Sequence, residues 1–176
     1  MQNFNYHTHT YRCKHADDNL KDEDYVKLFI EQGFKKIAFT DHMPDKGGVD
    51  PRKRMRMDYS QKDEYLNSIK SLKEKYKDVI EIETGFEIEY MPGQEDNLFE
   101  LKKEVDKLVL GQHFIYAEDN KRLKIFRYQE FTHEDLLKYA NYIVKAIFLN
   151  HCLINSFTYS SSIILSSACL HLYVCV

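Results

Sequence analysis

Four short apolar runs in this chain end on, or hand over to, a histidine or an acidic residue, and helical stretches separate them. Phe4–His9 is aromatic and bounded by Asn, and it closes on His7 and His9. KKIAFT, Lys35–Thr40, has the composition of a buried strand and is followed at once by Asp41 and His42. Val79–Glu83 continues through ETGFEIEY and carries Glu87, and Leu108–Leu110 delivers His113. A further short strand is expected at Ile125–Arg127. Between the strands, Lys21–Gln32 places Tyr25, Leu28 and Phe29 at helical spacing before Gly33. Ser60 is placed to cap a long helix with Tyr65, Leu66, Ile69, Leu72 and Tyr76 on its apolar side. Leu98–Val105 is a further helix, and Thr132–Asp135 makes a capping box for another. That last helix has Leu136, Leu137, Ala140, Ile143, Val144 and Ile147 as its expected buried face. This alternation predicts an α/β architecture with parallel strands. In such folds the C-terminal ends of the strands meet on one face, and that face carries chemistry.

The residues delivered to that face suit a metal. In HxH on a strand both imidazoles point to the same side, because side chains alternate with period two. Two neutral imidazoles so placed can hold one Zn, Mn or Fe ion. An isolated HxH is equally well explained by surface or hydrogen-bonded histidines. His15, His42, Glu87 and His113 arriving from other segments favour the metal. A carboxylate such as Glu87 can also bridge two ions. Cys13 lies within the histidine cluster and reads as a packing residue or a support for the ligands. Asp41 either orients a neighbour of His42 or caps a turn. His133 belongs to a helix start and reads as structural. Arg52, Lys53, Arg54 and Arg56 form a basic loop that suits a phosphate or another small anion, or else is a solvated charged loop.

Composition narrows the partners. With 43% hydrophobic and 30% charged residues the chain suits a water-soluble globule. The formal net charge of -3, with both signs interleaved, gives no reason to expect nucleic acid or a membrane surface. MQNFNYHTHT has neither a basic nor an apolar leader region, so a cytoplasmic location is expected. Of the 4 cysteines, Cys152, Cys169 and Cys175 crowd the end of the chain, no CxxC is present, and reduced thiols are expected.

YHTHT, the His15 of CKHA, AFTDHM, GFEIEYMPG and LGQHF resemble the successive motifs of the PHP superfamily, the polymerase and histidinol phosphatase proteins. MRMDYSQKDEYL and TGFEIEYMPGQED resemble its monofunctional histidinol-phosphatase branch more closely than the polymerase-associated one. The resemblance covers about residues 1–148. It implies the N-terminal part of a distorted (β/α)7 PHP barrel, TIM-barrel-like and incomplete at the C-terminus. It also implies up to three divalent ions (Zn, Mn or Fe) and a small phosphate-ester substrate. The activity implied is hydrolysis of L-histidinol phosphate in histidine biosynthesis. On this resemblance His7, His9 and Glu87 serve a first ion, Glu87 bridges to a second that also takes His113, and His15 and His42 serve a third. Glu87 and His42 would carry catalysis, and Arg52, Arg54 and Arg56 would bind phosphate.

The same resemblance calls for ligands in a GHPD-like and a GSDxH-like stretch, and neither stretch is in the sequence. After Asp135 there is no further Asp. From Ala146 the chain carries no Asp, Glu, Lys, Arg, Gly or Pro and is rich in Ser, Ile, Leu and Cys. The expected division is therefore a partial phosphatase domain over 1–148 and an aberrant tail over 149–176. Asn150, His151, Asn155 and the serine run break the stretch of ~20 apolar residues that a membrane anchor needs. His151 is a weak substitute for a missing ligand. Impaired activity is expected, and with it two alternatives: a PHP-type phosphoesterase acting on another small ester, and a non-catalytic remnant. A metal count near three per chain would favour the enzyme, and one or none the remnant.

Overall fold

The structure is a computed structural model that describes residues 2–47, 55–116, 122–125, 131–151, 163–165 and 172–175. In chain order its elements are β1 (Phe4–Thr8), a 3-10 turn (Tyr11–Cys13), α1 (Asp22–Glu31), β2 (Lys36–His42), a second 3-10 turn (Tyr59–Gln61), α2 (Lys62–Lys75), β3 (Glu81–Ile88), α3 (Glu95–Glu104), β4 (Lys107–Leu110), β5 (Phe114–Tyr116), β6 (Arg122–Lys124), α4 (His133–His151), β7 (Ile163–Leu165) and β8 (Leu172–Cys175). They form two compact units. One comprises Met1–Glu87 with Glu100–Leu108, the other Ile88–Phe99 with Val109–Val176.

The first unit has the expected parallel arrangement. β1 pairs with β2, with a register shift between Asn5 and Thr8. β2 pairs with β3 without interruption from Lys36 opposite Glu81 to His42 opposite Glu87. Asp41 and His42 therefore belong to the strand and do not lie beyond it. Ile37, Phe39, Ile82 and Phe86 are buried along these strands, and α2 covers them with Tyr65, Leu66, Ile69 and Leu72, the stripe its spacing predicts. The Tyr65 hydroxyl lies 2.9 Å from Phe39 O and 2.8 Å from Gly85 O, which ties the helix to both strands.

Three local expectations are corrected. Ser60 does not cap α2. Asp58 and Gln61 form a capping box on the 3-10 turn that contains Ser60 and leads into the helix, and α2 itself starts after Gln61 with no side-chain cap. On α1 the buried apolar residue is Val26, whereas Leu28 is 46% exposed. Asp22 is also buried, as an ion-pair partner of Arg12.

Gly85 sits where β3 approaches the following chain most tightly. A Cβ there would lie 2.6 Å from Lys107 O and 2.9 Å from Thr40 Cγ2. Backbone cannot yield as a flexible side chain can, so Gly85→Ala is expected to lose about 1–3 kcal/mol of stability. A urea melt of the two proteins measures this, and an unchanged midpoint would contradict the packing.

In the second unit β5 and β6 pair antiparallel. The strand expected at Ile125–Arg127 is β6 instead, three residues earlier; Ile125 is in the turn after it, and Phe126 and Arg127 lie outside the described residues. Thr132 and Asp135 cap α4 reciprocally, as the sequence predicts. The buried side of that helix is not the expected one. Tyr142 and Ala146 are buried, while Leu136 and Leu137 are each 53% exposed and Val144 is 47% exposed. The tail, which shows no alternation in sequence, contributes β7 and β8, an antiparallel pair that continues onto Val109 and Leu110 of β4. No described helix is long and apolar enough to cross a membrane.

Candidate metal centre

Parallel register explains why histidines distant in sequence meet. His42 and Glu87 are direct partners on β2 and β3, and His42 Nδ1 comes to 3.0 Å from Glu87 Oε2. His7 and His9 share one side of β1 and its end. Their Nε2 atoms are 3.1 Å apart and lie 3.8 and 3.1 Å from the same Glu87 oxygen. His15 comes in from the loop after the first 3-10 turn, its Nε2 3.1 Å from His9 Nδ1. Lys14 turns that loop with a left-handed backbone, φ 63°. Four of the six expected histidine and glutamate positions thus surround Glu87 or touch a residue that does, all within the first unit.

These separations suit a cation better than hydrogen bonds. Two ligands on one ion, each with a bond of about 2.0–2.1 Å, lie roughly 3 Å apart. Three imidazole nitrogens and a carboxylate oxygen converge at about that spacing. The opposite ring nitrogens are also occupied as ligand imidazoles require. Thr40 Oγ1 donates to Tyr6 O and so accepts from His7 Nδ1 at 3.2 Å, which turns Nε2 toward Glu87. His15 Nδ1 donates to Cys13 O at 3.1 Å, leaving Nε2 to face His9.

The charge balance follows from burial. Glu87 is 1% exposed. Burial pulls His42 down to about 3, more than the neighbouring Glu87 raises it, so His42 is neutral and able to ligate. For His9 burial also acts downward, but hydrogen bonds to Cys13 and Glu87 and the Glu87 charge prevail and raise it to about 9. A protonated imidazole beside the carboxylate supplies the positive charge that an ion would supply.

The loop between β1 and α1 is held by residues the sequence reading passed over. Arg12 is 2% exposed. It grips Asp22 through two bonds of 2.8 and 2.9 Å and Glu64 through two of 2.7 Å. It also donates to Thr10 Oγ1 at 3.2 Å. Thr10 in turn donates through its hydroxyl and its backbone N–H to Asp41 Oδ2. Asp41 is therefore an orienting residue and not a turn cap. The residue types were the available signal, since a lone Arg next to a ligand segment needs a buried counter-charge.

His113 lies in the second unit, as does Glu89. Glu89 is fully buried and its Oε1 accepts from His113 Nδ1 at 2.6 Å. Glu89 was not anticipated, although the acidic alternation of FEIEY places it two residues from Glu87. Arg56 is buried, donates to Met43 O at 3.2 Å, and its charge helps keep His42 neutral. Arg52, Lys53 and Arg54 lie outside the described residues. His133 begins α4, as expected of a structural residue. Cys13 is a free, buried thiol. His151 ends α4, and the side chains of Cys152, Cys169 and Cys175 are outside the described set.

Known proteins share both sequence and fold with this chain. The histidinol-phosphatase of Bacillus subtilis (strain 168) is 29% identical over 145 residues, which cover 78% of this chain and 53% of that protein. The crystal structure of the hisK protein of Listeria monocytogenes superposes with a TM-score of 0.59 at 27% identity, covering 75% of this chain and 51% of that one. The histidinol phosphate phosphatase of Lactococcus lactis, solved with Zn, L-histidinol and phosphate, superposes at 0.61. It is 20% identical, over 89% of this chain and 57% of its own, and shows a shared fold. The chain spans about half the length of these relatives. Residues 5–164 match the PHP domain, so the strand-end histidines and glutamate described above sit in a chain that belongs to the PHP family.

Proposed function

We propose that this chain carries imidazole and carboxylate ligands of a metal-dependent phosphatase centre that hydrolyses L-histidinol phosphate to L-histidinol and phosphate. The observation that carries the reading is the convergence of His7, His9 and His42 on one oxygen of Glu87. The Bacillus relative's name and the ligands of the Lactococcus structure support the choice of substrate.

His7, His9 and Glu87 would hold one ion in this reading, His15 and His42 another, and His113 is a further candidate ligand in the second unit. Zn, Mn and Fe all suit such ligands. When bound, the ions neutralise phosphate charge and supply hydroxide from water at neutral pH. Glu87 would offer its carboxylate to the ions from a strand paired with β2. His42, kept neutral by burial, is ready to ligate without first losing a proton. Arg56, with Arg52 and Arg54, adds positive charge for the phosphate. The reading keeps a phosphatase portion over 1–148 and a tail over 149–176.

The test is phosphate release by the purified chain supplied with Zn2+ or Mn2+. L-Histidinol phosphate, an aryl phosphate and a short phosphorylated oligonucleotide are compared. Fastest release from histidinol phosphate, abolished by chelation, is expected. Preference for another ester would make the chain a phosphoesterase of different specificity. No release, together with one ion or none per chain, would make it a non-catalytic remnant.

A further inference from the structure

We propose that Glu89 is the positioning residue of His113: its carboxylate fixes the imidazole with Nδ1 protonated and Nε2 as the ligating nitrogen. The inference rests on the metal reading above and deepens it, by giving a role to a buried acid that reading does not use.

Glu89 is 0% exposed and His113 8%. The 2.6 Å bond from His113 Nδ1 to Glu89 Oε1 is a short, charge-assisted contact. A carboxylate and an imidazole taken this far from water cost stability unless they are paired and hydrogen-bonded. The backbone around the pair is fixed separately. Gln112, itself buried, accepts from Tyr90 N–H at 2.9 Å and donates to Tyr90 O at 3.1 Å and to Phe114 O at 2.6 Å. One side chain therefore binds the residue after Glu89 and the residue after His113. Gly111 N–H donates to Ile88 O at 3.0 Å, and Ile125 N–H to His113 O at 2.9 Å. None of these bonds uses the side chain of Glu89 or of His113.

Gln112 and Gly111 already tie the two segments together, so the Glu89–His113 bond adds little as a fastener. What it fixes is the ring. A carboxylate has no proton to give, so the bond places the proton of the neutral imidazole on Nδ1 and leaves the Nε2 lone pair to an ion. The same contact holds the ring against rotation and raises the basicity of the ligating nitrogen. Thr40 Oγ1 and Cys13 O stand in the same relation to His7 and His15, but both are neutral acceptors. Glu89 brings a full negative charge to that place, which makes the bond roughly twice as strong.

Zn2+ affinity and stoichiometry, measured by competition with a chelator, are compared for the full wild-type chain, Glu89→Gln, His113→Ala and the double variant. Glu89→Gln is expected to weaken one ion by about 10–100-fold and leave any others unchanged. His113→Ala is expected to lose that same ion, and the double variant to lose no more than His113→Ala alone. In the Zn2+-loaded wild type, nitrogen-15 NMR of the His113 ring is expected to show a protonated Nδ1 and a Zn2+-bound Nε2, a result that needs no variant to fold. Unchanged Zn2+ binding in Glu89→Gln beside a loss in His113→Ala would overturn the proposal and leave His113 a ligand. Zn2+ on Nδ1 would do the same. A further loss in the double variant would make Glu89 a ligand in its own right and reject the positioning role. Full binding by His113→Ala would overturn the proposal and leave the histidines around Glu87 standing. Failure of the wild type to take up any Zn2+ would overturn both.

Discussion

Glu87→Gln is expected to lower metal affinity by more than about 100-fold while leaving the chain folded. Loss of a supporting hydrogen bond to a ligand already costs 10–100-fold in such sites, and Glu87 is the carboxylate that three imidazoles face. Glutamine keeps the size and shape of the side chain, so the strand pairing between His42 and position 87 survives. It removes the negative charge, and an imidazole-only site binds a divalent ion far less well than one that neutralises it. Metal content after dialysis, measured by elemental analysis, gives the affinity. A thermal melt of the metal-free proteins separates this from unfolding, since a change of ~1 kcal/mol moves the midpoint by about 2–4 °C in a chain of this size. Retained metal in Glu87→Gln would reject Glu87 as a ligand.

Arg12→Met is expected to cost about 3–5 kcal/mol, the loss typical of breaking a buried ion pair from one side. The guanidinium satisfies the buried Asp22 with two bonds and binds Glu64 and Thr10 besides. It also stacks 4.4 Å over the Tyr11 ring. Hydrogen bonds from Arg12 hold Glu64 below the usual carboxylate range, and the two carboxylates keep the guanidinium charged. Methionine fills much of the volume but leaves Asp22 buried with only its Ser68 contact. A denaturant titration should show the midpoint fall, and Arg12→Met/Asp22→Asn should recover part of it because the stranded charge is gone. A loss below ~1 kcal/mol would place Arg12 among ordinary surface ion pairs.

What the sequence disclosed, and what it hid, divides along physical lines. HxH on a strand is readable because alternation fixes the side, and His42 and Glu87 are readable because each ends an apolar strand. Their exact apposition came from the β2–β3 register, which no local pattern encodes. The Arg12 network was hidden because its partners lie 10 and 52 residues away. On α4 the difficulty was an excess of signal. Leu136, Leu137, Val144 and Phe148 lie outside while Tyr142 and Ala146 lie inside, so apolar residues surround the helix and periodicity alone selects no face. Before α2, Ser60 has the residue type of a cap, but a 3-10 turn capped by Asp58 takes it up and runs straight into the helix.

The Arg12 clamp has a consequence for how ions come and go. The loop that carries Cys13 and His15 is fastened by ion pairs and hydrogen bonds to α1, α2 and β2, none of which uses a metal. Its conformational freedom is surrendered during folding, before any ion arrives. Ions entering such a cradle would exchange like guests in a rigid host: the chain would not need to be remade for each one, and supply and ligand chemistry would decide which metal it takes, not a one-time event at birth.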